Sequence, residues 1–476
     1  MVSNHSLPSH AETAGYYHNR SDTIRKGRSD LSVCLCRNFQ ERNGGETGLV
    51  SGNGYLSQAC ATDEPVCCLC LQFSGGLSAM MSKPVITILA VNTGSSSIKF
   101  SLYESGEKEE LIYFGSLTRI GLKEGRFSVT DSGGRYINCE RVETADHDSA
   151  CQYVFSWIMN NSAGIPDAVG HRVVHGGPRH TAPEMITPEL LDSVTALIPY
   201  APEHLPQALN AIRHAASEFP GVFQVACFDT AFHRTIPPVA KLCPIPEEYR
   251  REGVQRYGFH GLSYEYLLGE LRAQDEPFAR KGRVILAHLG HGASMAAVLD
   301  GRSIETTMGF SPAGGLVMST RTGDLDPGVV VYLLQQGLLD AAGLRDMVNR
   351  KSGLLGVSGV SDDMRDLLDA EKSDERAQLA VELFCYSARK HIGALAAALG
   401  GLDMIVFTGG IGLHSPDIRE RICSGLGFLG IRLDMERNGN NAAIISQDKS
   451  SVVVRVMETN EEVTIVRETR RLLEAS

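Results

Sequence analysis

Two stretches of the chain, about 200 residues apart, repeat one pattern that few folds accommodate. Pro84-Val-Ile-Thr-Ile-Leu-Ala-Val91 is an apolar run rich in β-branched residues, with the length of a buried strand. Asn92-Thr-Gly-Ser-Ser-Ser97 follows as a turn of small residues, and Ile98, Phe100 and Leu102 then alternate as a returning strand. Arg283 to His288 reads as a second such strand, with Leu289-Gly-His-Gly-Ala293 as its turn. Ser294 to Leu299 is the return, and Asp300-Gly301 turns the chain into a third strand. Helical patterns lie between and after these units, at Pro188 to Leu197, Leu205 to Glu218 and Ala377 to Leu399. A duplicated α/β unit predicts two similar domains facing each other across a cleft, where nucleotides and phosphates commonly bind.

Both turns offer backbone N–H groups to an anion, because glycine and small side chains let a ligand approach the main chain. A third candidate is Leu402 to Thr408, an apolar strand running into Gly409-Gly-Ile-Gly412, with Ser415-Pro416 expected to open a helix through a hydroxyl cap. The chain has no Gly-Lys dipeptide, which excludes a P-loop. Gly425-Leu-Gly-Phe-Leu-Gly430 fits a dinucleotide fingerprint in letters only, since it follows a helix and precedes a strand-like segment.

Charge narrows the partners. The 45 Lys+Arg against 56 Asp+Glu give a net charge of -11, which opposes binding to nucleic acid or anionic lipid. No apolar run approaches the ~18 residues of a membrane helix. An anionic substrate must therefore be held by a few locally placed cations. Residues 1–83 differ in composition: they carry six of the 12 cysteines, no net charge and no sustained periodicity. They read as an unstructured extension, or as sequence upstream of a true start at Met80 or Met81, in preference to a zinc site built on Cys34, Cys36, Cys67 and Cys70. The scattered cysteines elsewhere suit a reducing, cytoplasmic setting.

Glycine-flanked charged residues then recur at strand ends. Gly170-His-Arg-Val-Val-His-Gly-Gly177 presents Arg172, Asp229 follows the apolar run ending at Phe228, His260 stands between Phe259 and Gly261, and Arg321 lies in the small-residue loop 314–327. Cations for equatorial oxygens, carboxylates for a metal and backbone donors are what phosphoryl transfer needs.

These segments, Val91 to Phe100, 170–177, Phe228-Asp-Thr-Ala-Phe-His233, Tyr257-Gly-Phe-His-Gly261, 310–327 and Thr459-Asn-Glu-Glu462, resemble in order the successive signatures of the acetate kinase family, over residues 85 to about 472. The resemblance implies an α/β fold of the acetate and sugar kinase, Hsp70 and actin superfamily. It would have two duplicated actin-like (ribonuclease H-like) domains with a cleft between them: 84–233 completed by 463–476, and 234–462. The implied reaction is reversible transfer of the ATP γ-phosphoryl to acetate, giving acetyl phosphate and ADP. Propionate or another short acid, a sugar acceptor, or a catalytically weak nucleotide-binding regulator are the alternatives. By the same resemblance Arg172 would bind the carboxylate, and His260 and Arg321 would stabilise the transferring group. Asp229 would position substrate and metal; a carboxylate nucleophile has no proton to lose at neutral pH, so no strong general base is required. Val174, Phe259 and Pro312 would line the alkyl pocket. Asn92 and Glu461 match the positions for Mg²⁺, with Mn²⁺ as the alternative ion, and Lys99 a phosphate contact. His288, Leu289, Gly290, His291 and Gly292, then Asp363, Met364 and Arg365, then Gly410, Ile411, Gly412, Leu413 and His414 match the nucleotide loops. A homodimer is implied as well.

Four positions depart from the family pattern. His291 replaces an asparagine, Leu413-His414 replace Glu-Asn, and Glu203 stands where an apolar residue is usual. A buried carboxylate beside an anionic substrate is costly unless it is turned away or paired. His291, with an ordinary pKa near ~6.5, would gain a second donor on protonation.

Overall fold

The computed structural model describes residues 84–161 and 164–476. The expectations for residues 1–83 lie outside them. The strands in chain order are β1 (Ile86–Thr93), β2 (Ser97–Ser105), β3 (Glu109–Thr118), β4 (Arg126–Asp131), β5 (Tyr136–Arg141), β6 (Ala168–Val173), β7 (Glu184–Met185), β8 (Phe223–Phe228), β9 (Arg283–Leu289), β10 (Ala293–Leu299), β11 (Arg302–Thr306), β12 (Met404–Thr408) and β13 (Val453–Val456). They form an eight-stranded sheet in the order β5-β4-β3-β2-β1-β6-β8-β7 and a five-stranded sheet in the order β11-β10-β9-β12-β13.

The duplication is explicit in this order. In each sheet three antiparallel strands joined by hairpins are followed by two parallel strands on the side of the first: β3-β2-β1-β6-β8 in one, β11-β10-β9-β12-β13 in the other. Both predicted hairpins are present, closed by Gly94 N–H to the Ser97 carbonyl at 2.8 Å and Gly290 N–H to the Gly292 carbonyl at 3.0 Å. Asp300 and Gly301 both adopt left-handed backbone at the next turn.

Unbroken apolar runs are required where the central strands β1, β9 and β12 are covered on both faces. In the second sheet Ile285, Ala287 and Phe407 pack with Val381, Phe384 and Ile392 of the helix Glu375–Leu399. Their neighbours Val284, Leu286 and Val406 pack the opposite way, against Leu267, Leu268 and Leu271 of the helix Gly261–Ala273. In the first sheet Leu89 and Val91 meet Val154 and Phe155 of the helix His147–Asn161. Ile88 and Ala90 share a core with Val463, Ile465 and Val466 of the C-terminal helix Glu461–Leu473.

One expectation needs correction. Gly409 to Gly412 do not form a loop: the chain passes from β12 directly into the helix Gly409–His414, and Ser415, between that helix and Pro416–Cys423, makes no side-chain capping bond. Ser415 N–H instead closes the preceding turn on the Ile411 carbonyl at 3.0 Å.

The close approach of the C-terminal helix to β6 depends on Gly170, where a Cβ would lie 2.3 Å from Thr469 Oγ1 and 2.4 Å from the Ile465 side chain. Gly170→Ala should therefore cost about 1–3 kcal/mol by overpacking. Thermal unfolding of the purified variant checks this, and an unchanged midpoint would contradict the packing described.

Candidate active site

The ends of these strands converge. Arg172 sits at the end of β6, Asp229 just beyond β8, Asn92 near the end of β1, and Glu461 in the first turn of the last helix, where Asn460 Oδ1 accepts from Val463 N–H at 2.9 Å. Together with Lys99, Val174, Phe259, His260, His288, Gly290, His291, Gly292, Pro312, Arg321 and Gly410 they line one cavity of about 470 Å³. A second cavity of about 660 Å³ shares Gly290, His291 and Gly410 with it and is walled by Asp363, Met364, Arg365, Ile411 and His414. A larger groove, about 1110 Å³, lies along the outside of the helix Glu375–Leu399, but no strand end reaches it.

Arg172 organises the first cavity. Its Nε and Nη2 donate to Asp229, the latter at 2.6 Å, its Nη1 donates to Asn92 Oδ1 at 3.0 Å, and Glu461 Oε2 stands 3.8 Å from Nε. Burial disfavours the guanidinium charge, yet Asp229 and Glu461 more than offset it and the pKa of Arg172 rises. Burial pushes the Asp229 carboxyl up and Arg172 pulls it back. Arg321 is different. Among the described residues no carboxylate lies within ion-pair distance of it; its Nη1 donates to the Pro312 carbonyl at 3.2 Å and approaches Met318 Sδ. Burial, then the neighbouring Arg172, lowers its pKa. A guanidinium left without a counter-ion is a receptor for an anion.

His260 caps the helix Gly261–Ala273 in left-handed backbone, φ 58°, a conformation that costs on the order of 1 kcal/mol for a residue with a side chain. Its ring stacks on His288 with centroids 4.3 Å apart. Each ring is braced through Nδ1 by a serine from the other element, His260 by Ser294 at 2.8 Å and His288 by Ser263 at 2.9 Å. Burial, then His288, Arg172 and Arg321, hold His260 well below its ordinary value, so the imidazole is neutral. Gly292 leaves the space between these groups open: a Cβ there would lie 3.2 Å from His260 Nε2 and 3.4 Å from Arg321 Nη1.

The remaining matched residues divide. Leu289 is fully buried in the core, Gly412 and Leu413 turn their carbonyls to Arg419 at 2.9 Å, and none of the three residues lines either cavity. Asp363 caps the helix Met364–Ala370 and pairs with Arg365 at 2.6 Å. Glu203 is accommodated by Arg350 and Arg345, with which it forms ion pairs. His291 stands 3.7 Å from Asp362, and burial, only partly opposed by Asp362, lowers its pKa, which moves its protonation below the expected region. His204, in the same segment as Glu203 but not singled out from the sequence, lines the cavity with Thr459 and Glu462. Its only sequence signal is its place between Glu203 and a proline-led helix, which carries no functional information. The other histidines of these signatures are structural: His171 bonds Gln224 Oε1 at 2.8 Å, His175 Nδ1 accepts from Gly177 N–H at 2.9 Å, and His233 bridges Ser303 and the Phe259 carbonyl.

The sequence profile of the Acetokinase family matches residues 87–467. This chain belongs to that family. An acetate kinase from Methylocella silvestris is 44% identical over 409 residues, 83% of this chain and 99% of its own length. Among solved structures, Porphyromonas gingivalis acetate kinase aligns with a TM-score of 0.74 at 37% identity, covering 82% of this chain and 100% of that one. A propionate kinase from Francisella tularensis aligns at 0.75 and 34%, covering 81% and 99%. The family's architecture of duplicated actin-like domains is the one described above.

Two measurements follow from the geometry. Gly292→Ala should lower turnover by tenfold or more, about 1.4 kcal/mol, at an unchanged thermal midpoint, because the methyl group fills only the space between Arg321 and His260; full activity would remove that space from the site. His171, His175 and His233 are buried and held near 4 by desolvation, whereas in the unfolded chain they titrate near ~6.5. The unfolded state then binds more protons as pH falls below ~6.5, so stability is lost between about pH 6.5 and 4. Thermal midpoints should drop steeply across that interval, and a flat profile from pH 7 to 4.5 would contradict the neutral assignment.

Proposed function

We propose that the chain is an acetate kinase, transferring the γ-phosphoryl of ATP reversibly to acetate. The observation that carries this reading is Arg321, without a carboxylate partner among the described residues, facing His260 Nε2 across Gly292 in the first cavity, next to Gly290 and His291, which that cavity shares with the second. The second cavity would take the nucleoside, and its phosphates would pass along Gly290, His291, Gly292 and Gly410 into the first, with Lys99 beside them. A carboxylate oxygen of the acid forms the new bond to the γ-phosphorus as the bond to the bridging oxygen breaks and ADP departs. Arg321 and His260 would donate to the equatorial oxygens, whose charge they stabilise. Arg172 spends three of its five N–H donors on Asp229 and Asn92, so two remain for the incoming carboxylate. Val174, Phe259 and Pro312 would take the methyl group.

Mg²⁺ belongs to the same reading. Asn92 Oδ1 and the Asp229, Glu461 and Glu462 carboxylates are hard oxygen donors around one cavity, and burial followed by Glu461 raises the Glu462 pKa, a strain that a cation relieves. Asn92 and Glu461 would hold the ion, which neutralises charge on the transferring phosphates. The reading also includes the domain division 84–233 with 463–476 against 234–462, supported by the return of the last helix to the first sheet. It includes a cytoplasmic homodimer, for which the exposed Val329, Val331, Tyr332 and Leu334 offer an apolar face.

Trapping acyl phosphate with hydroxylamine, in ATP, Mg²⁺ and each candidate acid, tests it. Acetate should yield hydroxamate, more efficiently than propionate. Arg321→Ala should lower turnover by ~10³ or more, whereas Arg172→Ala should chiefly raise the KM for the acid. Nucleotide binding without hydroxamate from any acid would favour the regulator instead, and turnover of Arg321→Ala within about tenfold of wild type would remove its transition-state role.

A further inference from the structure

His260 reaches the cavity with one ring nitrogen and the protein interior with the other. Nδ1 lies 2.8 Å from Ser294 Oγ, and Ser294 Oγ is in turn hydrogen-bonded to the Tyr264 hydroxyl. Both partners are fully buried. Their placement follows from the fold: Tyr264 lies one helical turn after His260, with its backbone N–H on the His260 carbonyl at 3.1 Å, and Ser294 stands opposite His288 in the β9–β10 pairing.

A neutral imidazole carries one proton, and the phosphoryl group it would face is anionic. With the proton on Nδ1, Nε2 would present a lone pair to that anion; with the proton on Nε2, it presents a donor. The chain of hydroxyls decides between them. The Tyr264 hydroxyl is fully buried and Ser294 Oγ is its hydrogen-bond partner, so the phenol, a stronger proton donor than an aliphatic hydroxyl, places its proton on Ser294 Oγ. Ser294, having accepted that bond, directs its own proton to its other neighbour, Nδ1 of His260. Each group donates once, in one direction, toward the cavity.

We propose that Ser294 and Tyr264 are positioning residues that fix His260 as the tautomer protonated on Nε2, making the imidazole a hydrogen-bond donor at the point where Arg321 and Gly292 meet. The catalytic consequence rests on the reading of His260 as a contact to the transferring phosphoryl; the tautomer itself does not. Ser294→Ala removes the proton that holds Nδ1 as an acceptor, and the Nδ1-protonated form then becomes accessible. Turnover should fall between about tenfold and ~10³-fold, with the KM for ATP and for acid each within about threefold. Tyr264→Phe leaves Ser294 free to rotate and should give a smaller loss of the same type.

The direct test is ¹⁵N spectroscopy of the histidine side chains in the full chain, with His260 assigned by the signals absent from His260→Asn. The expected spectrum has Nε2 protonated and Nδ1 unprotonated in the wild type, and a mixture in Tyr264→Phe, a variant that keeps the buried ring if Ser294→Ala does not fold. A proton on Nδ1 in the wild type, or turnover of Ser294→Ala within twofold of wild type, overturns the proposal. Absence of acyl phosphate formation would refute the function above while leaving the spectroscopic result decisive for the tautomer.

Discussion

The contact between Arg172 and Asp229 ties four separate segments together. One guanidinium at the end of β6 holds the carboxylate beyond β8, the carboxamide at the end of β1 and, more loosely, Glu461 at the start of the last helix. A pair withdrawn from water this far is stable only when its donors and acceptors are matched, and removing one member leaves a buried charge that costs several kcal/mol. The pair therefore fixes where the strand ends of the first sheet stand. The second guanidinium, Arg321, has no carboxylate within ion-pair distance among the described residues. The positive charge that the cavity keeps is the consequence of which arginine was neutralised.

The duplicated strand order explains why the remaining groups arrive at the same place. Each copy ends its first strand in a small-residue turn, and the two turns, at 92–97 and 289–293, both reach the cavity. Between them the helix beginning at Gly261 carries His260 into a backbone conformation that only the capping position demands. The crossed pairing of His260 with Ser294 and His288 with Ser263 locks this helix to the β9–β10 hairpin through side chains that also face the site. Structure and chemistry share the same hydrogen bonds here.

Much of this was legible in the sequence, for reasons that differ by element. The buried strands and the helices Pro188–Ala196, Leu205–Glu218 and Glu375–Leu399 announce themselves because burial on both faces or along one stripe imposes a period. The charged residues of the cavity were visible because Arg172 and Asp229 follow apolar strand-like runs, and His260 and Arg321 lie in glycine-containing segments. What stayed hidden depends on contacts between distant segments. The pairing of Glu203 with Arg350 spans 147 positions, and no local pattern separates the cavity-lining His204 from the core-bonded His171, His175 and His233. The helix Gly409–His414 runs against local propensity, because glycine disfavours helix. Arg419, fully buried, receives the carbonyls of Gly412 and Leu413 and ties them to Asn438, which holds that turn against its propensity. Leu289, Gly412 and Leu413 likewise support segments 288–292 and 410–414 from behind and line neither cavity.

The central claim is that an anion is received between Arg321, His260 and the open face of Gly292. A crystal structure of the full chain with ADP, acetate and a planar aluminium fluoride tests it most directly. The account predicts the fluoride group within hydrogen-bond distance of Arg321 Nη1 and His260 Nε2 above Gly292, with the acetate carboxylate on Arg172. A fluoride group held elsewhere, with Arg321 still turned to the Pro312 carbonyl, would contradict it.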